Sequence, residues 1–283
     1  MLFKDRPDGK RLRLPAFNAL MPYLLRGRNA SAVYFGRDVD VENAVKYVHR
    51  KNAEFGSNRF NLFGLILAAA ARTIAEKPDL NRFIKGNAIY QRNELSLSFI
   101  VKKRLTEEAK ETNAKIAFLA TDTIEEAMDR INAEIEFAKG DEPGADDKLI
   151  EVLHGIPFGK ALATKVLRVL DWLNITPASM IRTDPLYTSA YFANLGSLGL
   201  DAPFHHLYEW GTASMFCVIG RSFQREIKNR DGSFSKRTHI GIKVTVDERI
   251  SEGIYFAHAA ALFMRFIEKP ELLETPMGAA SGA

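Results

Sequence analysis

The chain is poor in cysteine, in long apolar runs and in any surplus of charge. One of its 283 residues is a cysteine, Cys217. A lone thiol closes no internal disulfide and builds no cysteine-ligated zinc site, which excludes a disulfide scaffold and points to a reducing compartment. The best candidate for a membrane span, Phe60–Ala71, is uncharged over only 12 residues before it meets Arg72, well short of the ~20 that a helix needs to cross a bilayer. Met1–Arg6 is followed by no apolar signal-peptide core, so a soluble cytoplasmic protein without a membrane partner is expected. Lys and Arg number 39 against 35 Asp and Glu, a net charge of +4. The basic residues are scattered, so no nucleic-acid-binding face is expected. No acidic or histidine spacing suggests a metal site. What remains is ordinary globular composition, 46% hydrophobic and 26% charged, in a chain long enough to bury a full core.

Helical and strand signals alternate along the chain. Arg6-Pro7-Asp8-Gly9 reads as a turn, and Pro15 and Pro22 frame a short apolar segment. Ser31–Val39 has strand character. Val41–Lys51 carries Val41, Ala44, Val45 and Val48 at helical spacing, with Asp40 placed to cap it. Phe60–Glu76 is apolar on every side, the pattern of a buried helix, and Pro78 stops it. Arg82–Ile84 and Ala88–Gln91 flank a Lys85-Gly86-Asn87 turn and predict a hairpin. Leu95, Leu97, Phe99 and Val101 alternate as in a half-buried strand, Ile116–Ala120 is a further strand, and Thr123–Ala138 is an amphipathic helix. The charged KGDEPGADD run over 139–147 predicts a linker. Lys148–Leu173 is mostly helical with a break near Gly155-Ile156-Pro157. Strands are expected at Leu186–Asn194, Thr212–Glu226 and Lys236–Val246, the last two joined by an Asn229–Gly232 turn, before a final helix over Ile254–Ile267. This is α/β, with a mixed sheet because the last strands form a hairpin. The halves lack separate strand sets, so the linker is not expected to be a domain boundary.

The run Thr245-Val246-Asp247-Glu248-Arg249-Ile250-Ser251-Glu252-Gly253 leaves a strand and opens a helix. It resembles the active-site segment of the chloramphenicol acetyltransferase-like superfamily. More closely, it resembles the catalytic domain of the dihydrolipoamide acyltransferases of 2-oxo acid dehydrogenase complexes, which carries Asp-His-Arg-x-x-Asp-Gly there. Asp247, Arg249 and Gly253 match, as does the tail Phe266–Leu273. Tyr191-Phe192-Ala193-Asn194-Leu195-Gly196 is similar to that family's Thr-Ile-Ser-Asn-Leu-Gly strand end, and Met215–Gly220 to the apolar strand after it. Arg28, seven residues before Phe35, matches an arginine that pairs with the acid closing the histidine segment. The resemblance runs from about Arg28 to Leu273, which implies one domain over 28–273 with an N-terminal extension over 1–27 and a tail over 274–283. It implies a two-layer sandwich of a mixed sheet with helices, the CoA-dependent acyltransferase fold, with coenzyme A or acyl-CoA as substrate and no covalent cofactor. It also implies a homotrimer with active sites between subunits. The family's lipoyl and subunit-binding modules have no counterpart, so a free-standing domain is expected.

The differences fall on the chemistry. In the family the histidine takes a proton from a thiol or hydroxyl so that it attacks the acyl-CoA carbonyl, and the serine hydroxyl stabilises the oxyanion. The histidine position is Glu248 here, the serine position Ala193, and the closing acid is Glu252. The resemblance therefore implies a site of Glu248, Arg28 and Glu252, with Arg28 and Glu252 as an ion pair, and a substrate channel beside Ala193 and Asn194 that His205 or His206 lines. A free Glu titrates near ~4.3 and a thiol near ~8.5, so proton transfer between them is uphill by roughly 5–6 kcal/mol. Two readings stay open: an acyltransferase with Glu248 in the histidine's place, and a non-catalytic relative that keeps the trimeric shell as a scaffold or as an acyl-CoA-binding protein. His258, on the final helix, is expected as a core or interface histidine. His205 and His206, adjacent in extended chain, are expected to point apart.

Overall fold

The computed structural model describes residues 5–102, 111–140 and 159–276. Most of the linker expected over 139–147 (residues 141–147), the helix break at 155–157 and residues 277–283 of the expected tail lie outside them. The strands are β1 (Gly9–Arg11), β2 (Ala32–Asp40), β3 (Arg82–Lys85), β4 (Ala88–Arg92), β5 (Leu95–Lys102), β6 (Glu111–Phe118), β7 (Ala190–Asn194), β8 (Met215–Lys228) and β9 (Phe234–Asp247). The helices are α1 (Ala16–Leu24), α2 (Glu42–Phe55), α3 (Leu62–Glu76), α4 (Ile124–Lys139), α5 (Gly159–Trp172), α6 (Ala178–Thr183) and α7 (Gly253–Glu268). None of the described helices is long and apolar enough to cross a membrane.

The main sheet has six strands in the order β2-β9-β8-β7-β5-β6. It is mixed: β7 runs parallel to β5 and β8, and the other pairings are antiparallel. Alternation decides its faces. Leu97, Phe99 and Val101 of β5, with Phe192, Cys217 and Ile242, turn toward the helical layer and form the core with α3. The uniform apolarity of α3 is used in full, since every residue from Gly64 to Ile74 is buried. Asn61 caps it by accepting from the Gly64 amide at 2.8 Å. The tip of the Met128 side chain on α4 packs against the bare backbone of Gly64. Thr123 and Glu126 form a reciprocal capping box at the start of α4. Asp40 accepts from the Glu42 amide at the start of α2.

The described part of the N-terminal extension, residues 5–27, packs on the rest of the chain: β1 pairs with β4 in a three-stranded sheet, β1-β4-β3. Arg6 is buried there against Asp8 and Asp171, with its Nη2 2.8 Å from Asp171 Oδ1. Lys85 also pairs with Asp171. Burial opposes the Asp171 charge, but Lys85 and Arg6 outweigh it and hold this carboxyl below the usual range. The strand expected from Leu186 begins only at Ala190. The carbonyl of Leu186 accepts instead from the amides of Thr212 and Ala213, tying down the loop that leads into β8.

Candidate active site

Asp247 ends β9 fully buried, and Arg249 folds back onto it with Nε 2.8 Å from Oδ1 and Nη2 2.7 Å from Oδ2. The Arg249 Nη1 also donates to the carbonyl of Leu25, just beyond α1. This paired clamp presents Glu248, exposed at the start of a 3₁₀ turn. Glu252 is exposed at the N-terminal boundary of α7 and makes no side-chain cap.

The Ala193 region lies on the sheet face opposite the core. Ala193 is buried beside Tyr191, Leu207, Phe216 and Val218. Asn194 shapes the turn after β7: its Oδ1 accepts from the Ser197 amide at 3.3 Å, and its carbonyl accepts from Ser197 Oγ at 2.8 Å. The following loop lays His205 over the same face. The His205 ring stacks on Phe216 with centroids 3.9 Å apart, and Thr245 Oγ1 donates to the His205 carbonyl at 2.6 Å. His205 Nδ1 lies 2.7 Å from the carbonyl of His206. That bond bends the chain, so the two imidazoles stack 4.5 Å apart instead of pointing to opposite sides. His258 is exposed on α7, neither in the core nor at this site.

Arg28 corrects a further expectation. It does not pair with Glu252. Its buried guanidinium donates to the carbonyls of Gly211 at 2.6 Å and Tyr208 at 2.8 Å, with longer bonds to Trp210 and Ile84. Its own amide and that of Asn29 donate to Glu209. Burial works against the Glu209 charge, but the Asn29 and Arg28 amides outweigh it and hold the carboxyl low. Asn29 exchanges two bonds with the backbone of Leu207, and Trp210 Nε1 reaches Asp184 at 2.7 Å. Gly211 has φ near +72°, and a side chain there would collide with the Leu186 carbonyl. Arg28 therefore staples the loop that carries the two histidines, while Arg249 holds the Glu248 turn. The signal for this was present in the run His205-His206-Leu207-Tyr208-Glu209-Trp210-Gly211, where charged, aromatic and glycine residues interrupt an otherwise apolar region.

Within one chain Glu248 and Ala193 do not meet. Ala193 is level with Val218 and Lys243 across the sheet. Glu248 lies five positions beyond Lys243, about 17 Å along the strand direction at ~3.4 Å per residue.

No protein-family model and no curated protein matches the chain. Solved structures do. The dihydrolipoamide acetyltransferase of Azotobacter vinelandii, studied for the catalytic roles of a serine, a histidine and an asparagine, superposes with a TM-score of 0.60 at 14% identity, covering 93% of each chain. A probable dihydrolipoamide acetyltransferase of Listeria monocytogenes gives 0.58 at 12%, covering 92% of this chain and 94% of the other. A chloramphenicol acetyltransferase gives 0.53 at 12%, covering 94% and 99%. The chain has the chloramphenicol acetyltransferase-like fold. At these identities the likeness is one of fold, a mixed six-stranded sheet with a helical layer in this chain. On the chloramphenicol acetyltransferase-like fold, the turn after β9 presents a carboxylate here, and the end of β7 presents a methyl group.

Proposed function

We propose that the protein is a CoA-dependent acyltransferase working as a homotrimer in a reducing cytoplasm, with each site built from two copies. Glu248 of one copy would face Ala193, Asn194, His205 and His206 of the next. What supports this reading is the register of the sheet, which sets Glu248 about 17 Å from Ala193 along the strand direction within one chain, so that a site using both would need a second copy to complete it. The exposed surface agrees. Beside the Glu248 turn, α1 exposes Phe17, Leu20, Tyr23 and Leu24. On the opposite sheet face Tyr34 and Phe204 are exposed and in edge contact. Two different patches that fit each other head-to-tail close a ring when the rotation allows it.

Acyl-CoA would be the donor and a thiol or hydroxyl the acceptor. The Azotobacter enzyme uses a serine, a histidine and an asparagine; Ala193, Glu248 and Glu252 stand at the positions that resemble the family's serine, histidine and closing acid. Ala193 offers no hydroxyl to the oxyanion, a contribution usually worth about 3 kcal/mol, so transfer is expected to be slow. That same residue favours a second reading, a trimeric acyl-CoA-binding protein without turnover. Titration calorimetry with acetyl-CoA, together with a transfer assay to dihydrolipoamide, tests both. Binding with transfer supports the first reading and binding alone the second. No binding contradicts both.

A further inference from the structure

The proposed site has a carboxylate at position 248, a weak base toward a thiol, yet a histidine lies over the Ala193 face of the sheet. His205 is held at three points. Its carbonyl accepts from Thr245, its ring stacks on Phe216, and its Nδ1 meets the His206 carbonyl at 2.7 Å. A carbonyl only accepts, so this contact places the proton on Nδ1 and leaves the lone pair on Nε2. No described residue partners Nε2. The ring lies on the Ala193 face, since Phe216 stacks on Tyr191 and Tyr191 is two residues from Ala193 on the same side of β7. The loop beneath it is fastened by Arg28, Asn29, Glu209 and Trp210, the rigid support that a catalytic side chain needs.

We infer that His205 is the general base of acyl transfer in this protein, with Glu248 of the neighbouring copy as the carboxylate that stabilises its imidazolium. This rests on the acyltransferase reading. The step is as follows. Nε2 removes the proton of an acceptor thiol, and the sulfur attacks the thioester carbonyl of acyl-CoA. The tetrahedral intermediate then collapses, its carbon–sulfur bond to CoA breaks, and the CoA thiolate takes the proton back from Nε2. A free imidazole titrates near ~6.5, so it lies about two units from a thiol where a free carboxylate lies about four. Base and acid partner have thus changed walls: the histidine comes from the half-site that lost its serine, and the carboxylate from the half-site that lost its histidine.

The test uses the full chain with acetyl-CoA as donor and dihydrolipoamide or pantetheine as thiol acceptor. His205→Gln is expected to lower kcat by about 10²–10⁴ while the acetyl-CoA dissociation constant stays within threefold. His205→Ala is expected to regain activity on addition of free imidazole, which a merely structural role would not produce. His258→Gln, remote from the site, is expected to behave as the parent. Transfer by the His205→Gln protein within threefold of the parent overturns the inference, and so does a His205→Ala protein that binds acetyl-CoA but is not rescued. A parent that binds acetyl-CoA and transfers to neither thiol overturns the inference but leaves the binding reading standing. A parent that binds no acetyl-CoA removes the acyltransferase reading itself.

Discussion

Replacing Arg28 by alanine separates two accounts of what that residue does. In the structure it makes two short charged hydrogen bonds, to the carbonyls of Gly211 and Tyr208, and two longer ones. Hydrogen bonds to charged groups contribute about 1.5–3 kcal/mol each, so the two short ones hold roughly 3–6 kcal/mol. Burial of the guanidinium, which pulls its pKa down, costs part of that. A net loss of about 3 kcal/mol is expected for Arg28→Ala. At ~2 °C per kcal/mol for a chain of this size, Tm should fall by about 6 °C. The loop would lose its staple, so the stacking of His205 on Phe216 should loosen as well. Glu252→Ala, which removes no intrachain partner, should melt within about 1 °C of the parent. The assay is thermal unfolding at fixed protein concentration, with both variants beside the parent. Equal losses for the two variants would refute the loop-staple role and restore an Arg28–Glu252 pair. An Arg28→Ala protein as stable as the parent would show that the carbonyl bonds carry nothing.

Other outcomes are equally definite. Sedimentation equilibrium at micromolar concentration should return about three times the 31.7 kDa chain mass; a monomer would contradict the trimer. Ala193→Ser, which restores a hydroxyl donor, should raise acyl transfer by about 10², and no gain in a folded trimer would mean that the end of β7 does not face the reacting carbonyl. Burial, reinforced by Arg92, pulls the Lys115 ammonium down to about 8. The unfolded chain then binds more protons than the folded one between pH 8 and ~10.5. The Lys115 contribution to stability therefore rises over that window and is flat below it. Urea unfolding of Lys115→Met should lack that rise, and parallel profiles for variant and parent would contradict the assignment.

Local periodicity made the main elements legible. The buried helix α3 and the β8–β9 hairpin follow from apolar spacing and turn residues within each segment; β5 is a strand as its alternation predicts, but it is buried on both faces instead of one, Ser96 and Ser98 included. The mixed sheet followed from the alternation of helices with strands and from the final hairpin, and the two-layer sandwich from the resemblance carried by Asp247, Arg249 and Gly253. Long-range polar pairing was not legible. Arg6 and Asp171 are 165 positions apart, and nothing local marks either as a partner, so the N-terminal segment read as an extension. The partner of Arg28 was not legible either: the acid at 252 is exposed, while the carbonyls of Tyr208, Trp210 and Gly211 surround the guanidinium. The histidine pair failed for a different reason: a side-chain bond to the next carbonyl bends the chain, and an extended-chain rule does not foresee it.

The central claim is that Glu248 and the end of β7 come together from different copies. A double variant, Asn194→Cys with Glu248→Cys, tests it directly, using a bismaleimide shorter than the in-chain separation of these positions. Cys217 is buried and its thiol is pushed up by burial, so it should not compete. Linked dimers and trimers on a denaturing gel are the expected result, with neither single variant giving trimers. Chains that stay unlinked, or that link only within themselves, would contradict a site shared between copies.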